Sequence, residues 1–233
     1  LGLFNVNWPE PLEAVTLDAD ERVPIGEPCR GGYLDCARMA VDMEDGRIVA
    51  TSPSGAWCEE LEGSGNWRLG VPPGSDDPWI LIDIESLLTL VQTVGWRRLG
   101  WVPLHVASLV RGDRCAVLCA ESGGGKTSLP AARVRAGWRT LGDDKVLQRL
   151  DSGGEPELRA LVHTFNLHPQ TRSWFPEVGD LERLPIYSEW TEKRKVRPET
   201  IWPGCTVEHA GPTHLVQIER LEAGHGVRVA PMS

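Results

Sequence analysis

No apolar run in the sequence is long enough to span a bilayer. The uncharged apolar stretch Leu87 to Trp96 covers ten residues and is broken by Thr89, Gln92, Thr93 and Gly95, whereas a span needs about 20. A basic start with an apolar segment and a small-residue cleavage site is also missing, so no secretory signal is expected. The six cysteines (Cys29, Cys36, Cys58, Cys115, Cys119 and Cys205) form no Cys-x-x-Cys pair and no paired Cys/His spacing that suits zinc. Cys115 and Cys119 alternate onto one face of an expected strand, where free thiols act as small hydrophobes. A reduced, cytoplasmic compartment is expected. An Asn/Thr-Lys-x-Asp motif for reading guanine is absent, which argues against a GTPase. Lysine is scarce, with only Lys126, Lys145, Lys193 and Lys195 against 20 arginines, a bias typical of a GC-rich genome and uninformative alone.

What is present is a globular chain. Its 233 residues are 41% hydrophobic and 24% charged, enough for one large domain or a domain with a small appendage and unlike a disordered or fibrous protein. The net charge of -9 argues against a nucleic-acid binder, but it is unevenly spread. Residues 1–95 hold 17 acidic and 5 basic side chains, and residues 96–233 hold 16 acidic and 19 basic ones. The second segment is the better seat for a phosphate-bearing ligand.

Residues 1–95 are expected to form an acidic region, mostly β, closed by a helix. Short β-like runs at Arg47–Thr51 and Trp67–Val71 are set off by Pro/Gly/Asp turns. Ile84, Leu87, Leu88, Val91 and Val94 then recur at helical spacing, with Gly95 near the expected end. In residues 96–233, Val102–Val110 and Arg114–Ala120 read as strands flanking Arg111-Gly112-Asp113. That tripeptide is better explained as a tight turn than as an adhesion motif. A helix is expected over 126–138, with Pro130 near its start and Gly137 as its stop. Strands are expected at Arg139–Asp144, Val146–Leu150 and Thr213–Glu219.

The segment Ala120-Glu121-Ser122-Gly123-Gly124-Gly125-Lys126-Thr127 fits the phosphate-binding loop pattern, with Ala in place of the first Gly. A strand before it and a helix after it are the context such a loop requires. Three glycines let the backbone wrap phosphate oxygens and turn N–H groups inward, and the helix N-terminus adds partial positive charge. Lys126 can reach terminal phosphates and Thr127 offers a hydroxyl to Mg²⁺. Seventeen residues past Lys126, the adjacent carboxylates Asp143 and Asp144 can divide two tasks, one holding Mg²⁺ and one taking a proton from an acceptor hydroxyl. His105 lies on the strand preceding the loop strand, where it either packs in the core or orients Asp143.

Together, Pro103-Leu104-His105, the loop beginning at Ala120 and the Leu-Gly-Asp-Asp ending at Asp144 resemble the HPr serine kinase/phosphorylase family. The closest resemblance is to its short, divergent relatives, some of which resemble kinases of ribosomally made peptides, including lasso-peptide precursors. The resemblance spans Pro103–Leu150 well and the region to Glu219 loosely. It implies an α/β fold with a mixed β-sheet and loop of the HPr kinase and PEP-carboxykinase type over 96–233. It also implies ATP and Mg²⁺ as cofactors, with Glu121 to Ser128 around the nucleotide and Thr127 and Asp144 on the metal. Asp143 would be the base toward a Ser hydroxyl, Lys126 a phosphate ligand and His105 a helper. Ser128 stands where the bifunctional enzymes usually have Glu, and the Glu-Ile-Arg-Gly signature linked to phosphorolysis has no counterpart, which puts that activity in doubt.

The densest basic cluster, Glu192-Lys193-Arg194-Lys195-Val196-Arg197, is either a solvated run or, as the same resemblance implies, a source of charge facing the nucleotide or the transferring phosphate, with Arg194 assigned to the nucleotide. The ten tryptophans form no stripe, and core or interface packing is their default. Trp174, Phe175 and Pro176 with Trp190 are a candidate acceptor groove. The expected function is transfer of the γ-phosphate of ATP to a hydroxyl, Ser of a peptide or protein first and a small molecule second. The alternative is a nucleotide-binding regulatory module without turnover. The expected partner is a Ser-containing acceptor, with a homo-oligomer open and nucleic acid and membrane excluded.

Overall fold

The structure, a computed structural model, describes residues 40–44, 47–61, 65–71, 78–121, 123–184, 186–188 and 191–219. Ser122, Trp190, Cys29 and Cys36 lie outside the described residues. The chain divides into two compact units between Leu99 and Gly100.

In the first unit, β1 (Ala40–Glu44), β2 (Arg47–Thr51), β3 (Trp57–Leu61) and β4 (Asn66–Gly70) form an antiparallel sheet in sequence order. Alternate residues of β3 and β4 turn inward, so Cys58, Trp67 and Leu69 meet Leu87, Leu90 and Val91 of helix α1 (Pro78–Arg98). The helix extends further than the periodicity predicts. Gly95 stays inside it, at a propensity cost of about 1 kcal/mol, and the turn falls at Gly100, whose φ of 78° suits glycine. Glu60 is buried and ion-paired to Arg98, which holds its carboxyl below the usual carboxylate range through the hydrogen bond and its charge.

The second unit is mixed α/β, built from several small sheets and few helices. Val102–Val110 is two strands, not one. β5 (Val102–Leu104) pairs antiparallel with β8 (Val146–Leu150), while β6 (Ala107–Arg111) pairs with β7 (Arg114–Ala120). His105 and Val106 are the point where the chain leaves one sheet and enters another. The Arg111 to Arg114 hairpin forms as expected, with Gly112 at φ 62°. Helix α2 (Ser128–Arg135) follows β7 and is shorter than predicted: Lys126 and Thr127 belong to the loop and the N-cap, and the helix ends just before the predicted stop, Gly137, at φ 85°.

Arg139–Asp144 does not form the predicted strand. Two isolated bridges, Val110–Arg139 and Thr140–Thr206, carry it between β6 and a later segment. Thr140 and Ser108, both fully buried, explain its path. The Thr140 hydroxyl donates to the Ser108 carbonyl at 2.9 Å and accepts from the Gly142 N–H at 3.0 Å. The Ser108 hydroxyl accepts from the Leu141 N–H at 2.8 Å, and the Ser108 N–H donates to the Gly142 carbonyl at 3.0 Å. Backbone groups that a regular strand would pair with a neighbour are satisfied by side chains instead.

After β8 come β9 (Pro156–Ala160), β10 (Phe165–Leu167), three single 3-10 turns, β11 (Ile186–Ser188), β12 (Thr191–Val196), the short α3 (Pro198–Ile201), β13 (His209–Ala210) and β14 (His214–Ile218). β14 lies parallel to β7 in the order β14-β7-β6, within the span predicted for it. The four-stranded sheet runs β13-β9-β8-β5 and the small one β10-β12-β11. Helix α2 is apolar on two sides. Its Leu129 packs with Ala107, Leu109 and Leu118 of the loop-bearing sheet, while Ala131 and Val134 join Phe165, Leu167, Phe175, Leu181 and Val196.

Gly142 adopts φ 151°, and a Cβ there would stand 2.8 Å from the Val162 carbonyl oxygen. Gly142→Ala therefore destabilises the protein by at least about 2 kcal/mol through backbone strain and collision. Urea unfolding checks this, and a loss below about 0.5 kcal/mol, the range of an ordinary surface change, would show that the turn yields freely.

Candidate functional site

The glycine-rich loop sits at the carboxyl end of β7, beside parallel β14 and directly before α2, where such folds bind ligands. Each described glycine has its own reason. Gly123 and Gly125 take φ of 79° and 93°, conformations that side chains other than glycine rarely adopt. Gly124 is a matter of space, since a Cβ would come 3.0 Å from the Ala120 Cβ and 3.1 Å from the Glu121 carbonyl oxygen. A turn closes the loop, with the Gly124 N–H donating to the Glu121 carbonyl at 3.0 Å. Thr127 is the N-cap residue of α2 yet makes no side-chain cap. Its hydroxyl instead helps to lower the proton affinity of Asp143.

Asp143 is 1% exposed. One carboxyl oxygen, Oδ2, accepts the backbone N–H of Asn166 at 3.1 Å. The other, Oδ1, has no hydrogen-bond partner among the described residues. Burial pushes the carboxyl up to about 7, against the opposing pull of Thr127, the Asn166 N–H and Lys193, with Asp144 adding upward repulsion. Desolvation wins because so little water reaches the group.

Asp144 is partly exposed and lies 3.4 Å from His105, Oδ1 to Nδ1. His105 is 65% exposed in its side chain, so it is not the packed core residue its apolar flanks allow. Its pKa is lowered, first by partial desolvation and then by the positive charges of Lys126, Lys145 and Lys193, while Asp144 opposes the shift. Lys126 is also lowered, chiefly by desolvation, and it senses Asp144, Cys119, Lys193 and Asp143. His105, Lys126, Asp143 and Asp144 thus share one electrostatic environment.

The basic cluster is divided by strand register. Phe165 pairs with Val196 and Leu167 with Arg194 across β10 and β12, so Arg194 shares the face whose Phe165, Leu167 and Val196 build the core around α2. The Arg194 Nε is buried without a partner among the described residues. Lys195 stands opposite Asn166 on the other face. Lys193 acts on Asp143, Lys126 and His105 alike.

Two contributors carry no sequence signal or only a blurred one. Asn166 lies 23 residues past Asp143 in an unremarkable apolar strand, and its contribution is a backbone N–H that any residue except proline supplies. Lys193 is visible as part of a charge run, but only strand pairing distinguishes the members of that run. In the candidate acceptor groove, Phe175 is core, packed edge-on against Trp202, while Trp174 is 60% exposed. A concavity of about 650 Å³ lies close by, lined by Gln170, Arg172, Ser173, Pro176, Gly179 and Asp180.

Cys58, Cys115, Cys119 and Cys205 are free thiols. Burial raises Cys115 to about 11, consistent with the inert, hydrophobe-like role expected of it. No described helix is long and apolar enough to cross a membrane.

Because Asp143 titrates near 7 when folded and near 3.9 when unfolded, the native state keeps a proton that the unfolded chain gives up. The resulting stabilisation is fully present below about pH 4 and lost as pH rises through about 7. Asp143→Asn removes this dependence, so its urea midpoint relative to wild type rises between pH 5 and pH 8. Parallel midpoints across that range would place the carboxyl in water.

No protein-family model and no curated protein matches the sequence. Among solved structures, the chain is similar to the HPr(Ser) kinase/phosphatase from Coxiella burnetii, with a TM-score of 0.37 and 10% identity over 55% of this chain. The matched part spans 64% of that structure.

Proposed function

We propose that this chain is an ATP- and Mg²⁺-dependent kinase that transfers the γ-phosphoryl group to a hydroxyl, that of Ser in a peptide or protein. The observation that carries this reading is the buried, half-committed carboxyl of Asp143 beside a glycine loop that ends in Lys126 and a helix. Asn166 occupies one oxygen and leaves Oδ1 available for a proton. A module that only binds nucleotide has no use for such a group.

In this reading the loop N–H groups and the amino end of α2 hold the donor phosphates, and Lys126 neutralises their terminal charge. Asp143 takes the proton from the acceptor hydroxyl. The hydroxyl oxygen then bonds to the γ-phosphorus as the bond from phosphorus to the β,γ-bridging oxygen breaks. Lys193, which acts on both Lys126 and Asp143, stabilises the charge that develops between them. Arg194 keeps its proposed role toward the nucleotide from the core face of β12. His105 orients Asp144 across their 3.4 Å contact.

The donor set fits Mg²⁺. The Thr127 hydroxyl and the adjacent Asp144 carboxylate, beside Asp143, are hard oxygen donors. Among the described residues no three His, Cys, Asp or Glu side chains form a closed metal cage, and Mg²⁺ ordinarily takes one or two carboxylates with substrate phosphate oxygens. Thr127 and Asp144 would hold the ion, which supplies charge neutralisation when bound.

Incubation with Mg²⁺ and γ-labelled ATP tests the reading against a pool of Ser-containing peptides. Acceptor-dependent labelling is expected, lost by at least about 100-fold in Asp143→Asn with nucleotide binding retained. Lys126→Ala is expected to lose both binding and transfer. Transfer that survives Asp143→Asn overturns the base assignment, and binding without transfer to any acceptor favours a regulatory module.

A further inference from the structure

At the end of β7 away from the glycine loop, the fold gathers four arginines. Arg111 and Arg114 face each other across the β6-β7 hairpin, Arg133 lies in the last turn of α2, and Arg139 bridges to Val110 of β6. All four are exposed. Elsewhere, Arg68, Arg98, Arg135, Arg149, Arg159 and Arg183 each meet a carboxylate. Among the described residues none of the four does so. Asp113, in the hairpin turn, ion-pairs with none of them, and the nearby Glu208 is engaged with His163 at 3.1 Å.

The four charges straddle the sheet. On the α2 face, Trp138 packs with Ala107, Leu109 and Leu118. The Arg111 and Arg133 guanidiniums lie 5.3 and 5.9 Å from the centroid of its ring. Each cation is drawn to the indole, but the two repel one another. On the opposite face, Arg139 stands across from Val110, which belongs to the core cluster of Cys115 and Val117, and directly opposed residues share a face. There Arg139 and Arg114 line a concavity of about 470 Å³ with Val110, Cys115 and Val207. The carboxyl end of α2 favours a cation at Arg133. The other three sit at no helix end and pair with no described carboxylate.

We infer that this arginine end is a docking surface for an acidic segment of a partner polypeptide. A small anion would engage one face only, whereas an extended chain can cross from the Trp138 face to the concavity and meet all four charges. The chain's net charge of -9 disfavours the continuous phosphate backbone of a nucleic acid. Strand β7 has seven residues, which places the surface roughly 20 Å from the glycine loop. A docked segment therefore leaves the loop open, and docking holds whether or not the loop transfers phosphate.

The probe is a fluorescein-labelled peptide of alternating Glu and Ala, about 12 residues long so that its extended span of roughly 40 Å reaches both faces. Binding to the full chain is read by fluorescence anisotropy. The Glu peptide is expected to bind at least about tenfold more tightly than a Gln/Ala counterpart, with the advantage shrinking as salt is added. Arg111→Gln and Arg139→Gln each reduce that advantage, and the double variant removes it. Urea midpoints of these variants stay near wild type, because the replaced side chains are exposed. Lys126→Ala, or saturating ATP with Mg²⁺, leaves peptide binding unchanged. Docking without phosphate transfer to any acceptor thus counts against the kinase reading alone. Equal affinities for the two peptides overturn the inference, as does a Glu preference that survives the double variant. Displacement by ATP, or loss in Lys126→Ala, also overturns it by placing the peptide at the glycine loop. Tighter binding of pyrophosphate or of a thymidine oligonucleotide than of the Glu peptide, lost in the same double variant, overturns it in favour of a small anion or a nucleic acid.

Discussion

Two buried hydroxyls, Ser108 on β6 and Thr140 beside it, hold the site in place. Between them they satisfy the Leu141 and Gly142 N–H groups and the Ser108 carbonyl, and the Gly142 carbonyl is met by the Ser108 N–H. Without those bonds a segment of buried, non-strand backbone would carry several orphaned polar groups, each costing about 1–3 kcal/mol. The same bonds draw the Gly142–Asp143 turn against the strand that runs antiparallel to β7. The carboxyl and the glycine loop are thus two outputs of one hairpin: β7 carries the loop, and β6 anchors the residue that faces it.

The electrostatics of the site follow from how unequally its carboxyls are buried. Asp143 is enclosed, and desolvation outweighs a hydroxyl, an amide N–H and a lysine in setting its proton affinity. Asp144, one residue on, reaches partial exposure and contacts His105. Adjacent positions in a bent segment project differently, so one local turn generates two different chemical environments. A regular strand over Arg139–Asp144 would have alternated them onto opposite sheet faces without the buried hydroxyl anchor.

Much of the fold near the loop was legible in the sequence because its signals are local. The β6-β7 hairpin, the glycine loop, the helix stop at Gly137 and β8 all come from short-range steric rules that act within a few residues. What the sequence did not reveal depends on distant partners. The break at His105 exists because Val102–Leu104 pairs with β8 while Ala107–Arg111 pairs with β7, and the intervening run looks uniformly strand-forming. Arg139–Asp144 has strand composition, but its backbone is satisfied by Ser108 and Thr140. The convergence of Lys126, Asp143, Asp144 and His105 was legible as a resemblance of motifs. Asn166 and the separate placements of Lys193, Arg194 and Lys195 emerge only from the register of β10 with β12.

The lysine distribution also has a consequence for the reactivity of the molecule. Acylating and Schiff-base-forming reagents attack unprotonated amines and leave guanidinium groups alone. In most proteins such reagents scatter over a surface dressed with lysine. Here the surface is dressed with arginine, and the lysine amines belong to the region around one loop and two carboxylates. Among them, Lys126 holds its proton less tightly than usual because of burial. Side-chain amine chemistry on this protein is therefore confined by composition to a single neighbourhood.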